Sequence, residues 1–321
     1  MTEHHRGTPA PSHSRALGQA LIGGLIMATA LGVGTTLGSV VADAAGATGW
    51  AARLIPAVLV SALALPLVFV AACRGRRSPA PLGFGSAGAS LRALLTGVGV
   101  TAAAAALVLG AGTAAGMLRW STPDPVALTG FVVSNGAVAF LLEALPEETT
   151  LRGHAWTSLR ERFGGTGAAL GTTAVFLLVP GASTVVEAGT AHLVGAEPAR
   201  IGISPEGQHP ADYLMLLTVF GLTLVAARTA VGRAPLWVAI GTHLTFLTVN
   251  RIVLEGDRRD AGWSADQTAP DAVLLVPAYL LVAAAGFAVC RRVGRRRGDE
   301  ARPPTASPAP PTDARRALIG R

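Results

Sequence analysis

Residues 141–164 read LLEALPEETTLRGHAWTSLRERFG. The stretch opens at the end of an apolar run and carries three carboxylates into it, Glu143, Glu147 and Glu148. Arg152 follows Glu148 by four residues, so on a helix the two share a face and can pair. Glu147, Leu151 and His154 fall on a neighbouring strip of the same helix. Carboxylates this close to a membrane core cost roughly 2.5–3.5 kcal/mol each at a helix centre. Partners in a buried site are the usual way such a cost is met. A plainer reading also stands: Pro146-Glu147-Glu148 is an acidic helix start in a loop, with proline in the first turn and acids facing the positive end of the dipole.

The rest of the chain decides what surrounds this stretch. Half of the 321 residues are hydrophobic and 14% are charged, against about 25% charged in a soluble domain. Mean hydropathy is +0.48. With apolar runs of membrane length, this makes an all-α polytopic transmembrane helical bundle. Apolar windows at 17–41, 54–72, 91–117, 126–145, 167–186, 213–230, 236–254 and 272–289 give about eight membrane spans. The fifth is interrupted in sequence by Pro180-Gly181. Ala42-Asp43-Ala44 after the first run looks like a signal-peptidase site, but the run is longer than the roughly 7–15 residues of a signal h-region, so an uncleaved anchor is expected.

All 26 basic residues are arginine and the net charge is +7. They sit between apolar runs, at Arg74, Arg76 and Arg77, at Arg228 and Arg233, and at Arg291 to Arg297. That placement suits topology setting and anionic headgroups, not nucleic acid. It puts both termini in the cytosol of a multi-pass plasma-membrane protein. A polar tail at 1–16, with His4, His5 and His13, precedes a transmembrane domain at 17–290, and a basic, Pro-rich tail at 291–321 follows; both tails are expected to be disordered. Trp120 is expected as an interfacial anchor. Cys73 and Cys290 lie beside arginine clusters, so neither a disulfide framework nor a metal-ligand spacing is expected. No phosphate loop, HExxH or GxSxG pattern occurs, and no internal repeat argues for a repeat-built transporter.

In the seventh window, His243 and Asn250 are seven residues apart and share a helix face. A lone histidine there could simply be a core residue bridging helices. His192 and His209 fall in the polar loop expected at 187–212.

Glu147-Glu148-x-x-x-Arg152-Gly153 resembles the first motif of the CPBP family, the CAAX-protease and bacteriocin-processing (Abi) membrane proteins. The resemblance runs over about 137–251. The run from Gly232 to His243 resembles the approach to that family's third motif, whose histidine is followed four residues later by Asn or Asp; this chain has Leu247. The second motif, Phe followed four residues later by His, aligns with Phe176, and this chain has Pro180.

The resemblance implies an intramembrane metalloendopeptidase. Glu147 would activate a water for attack on a peptide bond near the cytosolic leaflet. Glu148 and Arg152 would complete the acidic pair, and His243 would polarise the carbonyl or, with Glu147, hold a divalent metal such as zinc. Asn250, one turn beyond Leu247, could supply an amide that the family pattern does not provide. The implied partners are membrane lipid and a peptide or membrane-protein substrate. Because of Pro180 and Leu247, a catalytically impaired relative that binds a peptide or confers bacteriocin immunity remains an alternative. A small proton-coupled transporter with buried carboxylate relays is a second one.

Overall fold

A computed structural model describes residues 12–75, 82–198, 200–205 and 207–300. His4, His5, Arg76, Arg77, Glu206 and the tail beyond Glu300 lie outside the described residues. The described chain is a helical bundle: α1 (His13–Ala44), α2 (Gly49–Gly75), α3 (Ala87–Ala114), α4 (Pro125–Ala139), α5 (Leu145–Glu147), α6 (Trp156–Val194), α7 (Pro210–Arg228), α8 (Leu236–Val253) and α9 (Leu275–Glu300). It is an all-α polytopic bundle, as the hydropathy required.

Seven helical runs among the described residues are long and apolar enough to cross a membrane. One of them, Pro125–Val194, has 70 residues. Straight, it would reach about 105 Å, against a hydrocarbon core of about 30 Å. It turns back at Gly164, whose φ of 69° and ψ of −169° only glycine adopts without strain. Leu159 consequently lies beside Gly171, although a continuous helix would separate them by roughly 18 Å. The expected fourth and fifth spans are the two arms of this run.

Several helix boundaries, and the expected interruption at Pro180-Gly181, differ from expectation. α1 begins at His13, because the Ser12 side chain accepts a hydrogen bond from the Arg15 N–H and caps it. α9 continues through the arginines to Glu300; arginine is a good helix former and suits a helix C-terminus. α6 runs unbroken through Pro180-Gly181, with Ser183 Oγ donating to the Pro180 carbonyl. It extends to Val194, so Glu187 and His192 lie on the helix and not in the loop; Gly195, left-handed at φ 69°, ends it. The loops after α3 and α8 form a short antiparallel ribbon of β1 (Leu118–Trp120) and β2 (Ala265–Gln267). There Trp120 stacks on Trp263 and donates to Thr113.

Small residues let the helices approach closely. A Cβ on Gly32 of α1 would stand 2.7 Å from the backbone of Ser183 and Glu187 on α6. On the other side, a Cβ on Gly97 of α3 would stand 2.9 Å from the Thr242 nitrogen of α8. α8 is thereby pressed against α3 at the residue before His243.

Candidate active site

The acidic stretch is helical but not uniformly α-helical. Phe140–Ala144 and Glu148–Ala155 are wound as π-helix on either side of the single turn α5. Such widened turns recur at functional sites. Pro146 is one local cause: it has no N–H to give to the carbonyl of the preceding turn. The Leu141 carbonyl, which a π-turn would pair with residue 146, accepts instead from Ser61 Oγ on α2. The second π segment is buried along its whole length, Glu148 and Arg152 completely.

Arg152 organises the charges. Its Nη1 lies 3.3 Å from Glu148 Oε1 and 3.5 Å from Glu147 Oε1. The expected Glu148–Arg152 pair is present, and the same guanidinium also reaches Glu147. Its face lies 4.6 Å from the centre of the Phe176 ring, a cation–π contact inside the bundle. His243 comes from α8: its Nδ1 lies 2.9 Å from Glu148 Oε1, so it donates to that carboxylate. The imidazole packs edge-on to Phe220 of α7, with centroids 5.0 Å apart. Phe220 in turn stacks on Phe246 at 3.9 Å. Glu148 therefore joins an arginine on its own helix to a histidine 95 residues away.

A cavity of about 570 Å³ opens beside this cluster. Glu147 and His243 face it, whereas Glu148 and Arg152 stand behind them and do not line it. Phe176, Pro180 and Leu247 are on its wall as well. The positions matching all three motifs thus surround one space, and the two departures put a proline and a leucine where polar side chains would project into it. Asn250 is elsewhere: its Oδ1 accepts from the Tyr279 hydroxyl at 3.1 Å, and it does not line the cavity. Asn250→Ala is therefore expected to act on stability, at about 1–3 kcal/mol for the orphaned buried hydroxyl. A melting curve beside the turnover per folded molecule checks this, with turnover unchanged.

Several lining residues were given no role by the sequence. Glu143 borders the cavity and pairs with Arg251 of α8 at 2.5 Å, which also holds Asn135 Oδ1 at 3.0 Å. Tyr213 of α7 and Arg200 of the α6–α7 loop line it too. That loop is tied to α6 by Thr184, whose Oγ1 accepts from the Gly202 N–H at 3.2 Å. Glu143 was the one with a signal, as a third carboxylate in the same apolar run. Tyr213 and Arg200 had none, because only the tertiary fold brings α7 and its preceding loop to this space.

Glu147, Glu148 and His243 offer three ligand atoms within 4.8 Å of one another. Glu147 Oε1 and Glu148 Oε2 have no hydrogen-bond partner among the described residues. Two carboxylates and an imidazole fit a small divalent cation such as zinc.

Helices of membrane length around a buried Glu-Glu-Arg-His cluster define a multi-pass α-helical membrane protein with a polar site inside its bundle. Residues 129–249 match the family model described as Rce1-like, type II CAAX prenyl endopeptidase Rce1-like. The segment that carries the site is thus similar to that family, in line with the CPBP and CAAX-protease resemblance of the first motif. No curated protein and no solved structure matches the chain.

Proposed function

We propose that the protein is an intramembrane endopeptidase that hydrolyses a peptide bond of an apolar, membrane-associated substrate near the cytosolic leaflet. The observation that carries this reading is the placement of Glu147 and His243 on one cavity wall, with Glu148 bonded to the imidazole at 2.9 Å. In this mechanism Glu147 takes a proton from a water as the water oxygen attacks the carbonyl carbon. His243 borders the same cavity, and its imidazolium, giving Nδ1–H to Glu148, would give Nε2–H to the developing oxyanion. The C–N bond then breaks, and the proton held by Glu147 passes to the leaving amine. Arg152 pairs with Glu148 and holds it in register with His243. Tyr213 is a further hydroxyl donor on the cavity wall. A divalent ion held by Glu147, Glu148 and His243 would acidify the attacking water.

The substrate class follows from the walls. Leu31, Phe176, Val179, Leu216 and Phe246 make most of the lining apolar, which suits aliphatic or aromatic side chains. The matched family's description as a CAAX prenyl endopeptidase is consistent with a lipid-embedded C-terminal peptide. The test is cleavage by the purified protein in liposomes containing H₂¹⁸O. One ¹⁸O in each new C-terminal carboxyl is the expected product. No cleavage of any membrane peptide, or cleavage without label, overturns the proposal.

A second reading has its own observation. Pro180 and Leu247 remove two polar donors from the cavity wall, which favours a peptide-binding relative without turnover. Saturable retention of an intact membrane peptide, unchanged by Glu147→Gln, would support that alternative.

A further inference from the structure

A second cavity, of about 930 Å³, lies at the end of the bundle where α7 and α9 finish and α6 begins. It is lined by Arg160, Arg228, Arg291 and Arg295, together with Trp156 and Cys290, and no carboxylate is among its lining residues. None of the four arginines forms an ion pair with a carboxylate among the described residues. Four guanidinium groups on one wall with no carboxylate among the lining residues repel one another, a repulsion that salt screens at the exposed rim and less at the buried Arg228, which Glu148 attracts from behind the wall.

Arg228 makes this more than a solvated basic surface. It is only 8% exposed. Its Nε donates to the Arg152 carbonyl at 3.1 Å, which fixes the guanidinium at the cavity wall. Gly83 makes room for it: a Cβ there would stand 2.6 Å from Arg228 Nη2. The free carbonyls at the α7 C-terminus attract this cation but supply no full negative charge. Arg160 lies over the Trp156 ring at 5.9 Å, so an aromatic surface of the kind found at headgroup depth borders the same space.

We propose that this cavity is a binding site for a phosphate-bearing anion, held by bidentate arginine contacts. The anion is either the headgroup phosphate of an anionic phospholipid or a soluble phosphate. Basic pockets between transmembrane helices at the cytosolic side are suited to the former. The site is separate from the glutamate cavity and does not depend on the protein cleaving anything. It lies one hydrogen bond from that cavity's helix, through Arg228 and the Arg152 carbonyl.

The test uses full-length protein, delipidated in neutral detergent. Wild type is compared with the Arg160→Gln/Arg291→Gln/Arg295→Gln triple variant, whose side chains are at the cavity rim, and separately with Arg228→Gln. Binding of phosphatidylglycerol, phosphatidylcholine and inorganic phosphate is read by native mass spectrometry, and thermal stabilisation by each is recorded. A lipid site retains phosphatidylglycerol but not phosphatidylcholine on wild type, and the triple variant loses at least tenfold in affinity. A soluble-anion site shows the same loss for inorganic phosphate, with no preference between the lipids. If the triple variant folds and binds both anions as wild type does, or wild type binds neither, the proposal is wrong. Arg228→Gln is expected to lose binding as well; undiminished binding by a folded Arg228→Gln protein would also overturn the site as described.

Discussion

Arg152→Leu is expected to cost about 3–5 kcal/mol of stability, the range for removing one partner from a buried charge pair. The reason is specific to this cluster. Arg152 Nη1 stands within 3.5 Å of oxygens on both Glu147 and Glu148, and both Arg152 and Glu148 are fully buried. Leucine keeps the apolar stem but removes the guanidinium from the Phe176 ring and leaves two carboxylates facing each other without it. One must then take up a proton or draw in water. Adding Glu148→Gln to Arg152→Leu should recover a substantial part of the loss, because one stranded charge is gone. Thermal melts of the single and double variants in detergent check this. An unchanged melting temperature in Arg152→Leu would mean that the guanidinium does not hold the pair together.

Glu147→Gln is expected to lower peptide cleavage by about 10²–10⁴-fold, the usual contribution of a positioned general base. The amide is nearly isosteric, so substrate binding should persist and the loss should appear in kcat. Stability should stay level or rise, since the substitution removes one of two neighbouring like charges near a single arginine. This combination separates catalysis from scaffolding. A rate within threefold of wild type would remove Glu147 from the chemistry. A fall in rate that merely tracks a fall in folded protein would make it structural.

The sequence was most informative where membrane physics is strict. The windows of about 20 apolar residues fall on the seven helical runs of membrane length among the described residues, the longest run holding two of them, because the hydrocarbon core leaves the backbone few alternatives to helix. The Glu148–Arg152 pair was legible from i, i+4 spacing, and His243 from its place in an otherwise apolar helix. The π winding of Glu148–Ala155 was not, since it depends on Pro146 denying a donor and on Ser61 of another helix supplying one. The turn at Gly164 was hidden because adjacent glycines could equally have ended a helix or lain within one. Asn250 shares a helix face with His243 in spacing alone; α9 claims its amide through Tyr279. Arg228 read as a topology marker, and only the packing of α7 against the second π segment showed that it is buried.

The central claim is that an acidic pair on one helix and an imidazole on another meet inside the bundle. A double-mutant cycle over Glu148→Gln and His243→Gln, read as unfolding free energy in bicelles, tests it most directly. Their hydrogen bond at 2.9 Å in a fully buried setting calls for a coupling of about 1–3 kcal/mol. Effects that add to within about 0.5 kcal/mol would mean that the two side chains do not touch, contradicting both the site and the hydrolytic chemistry built on it.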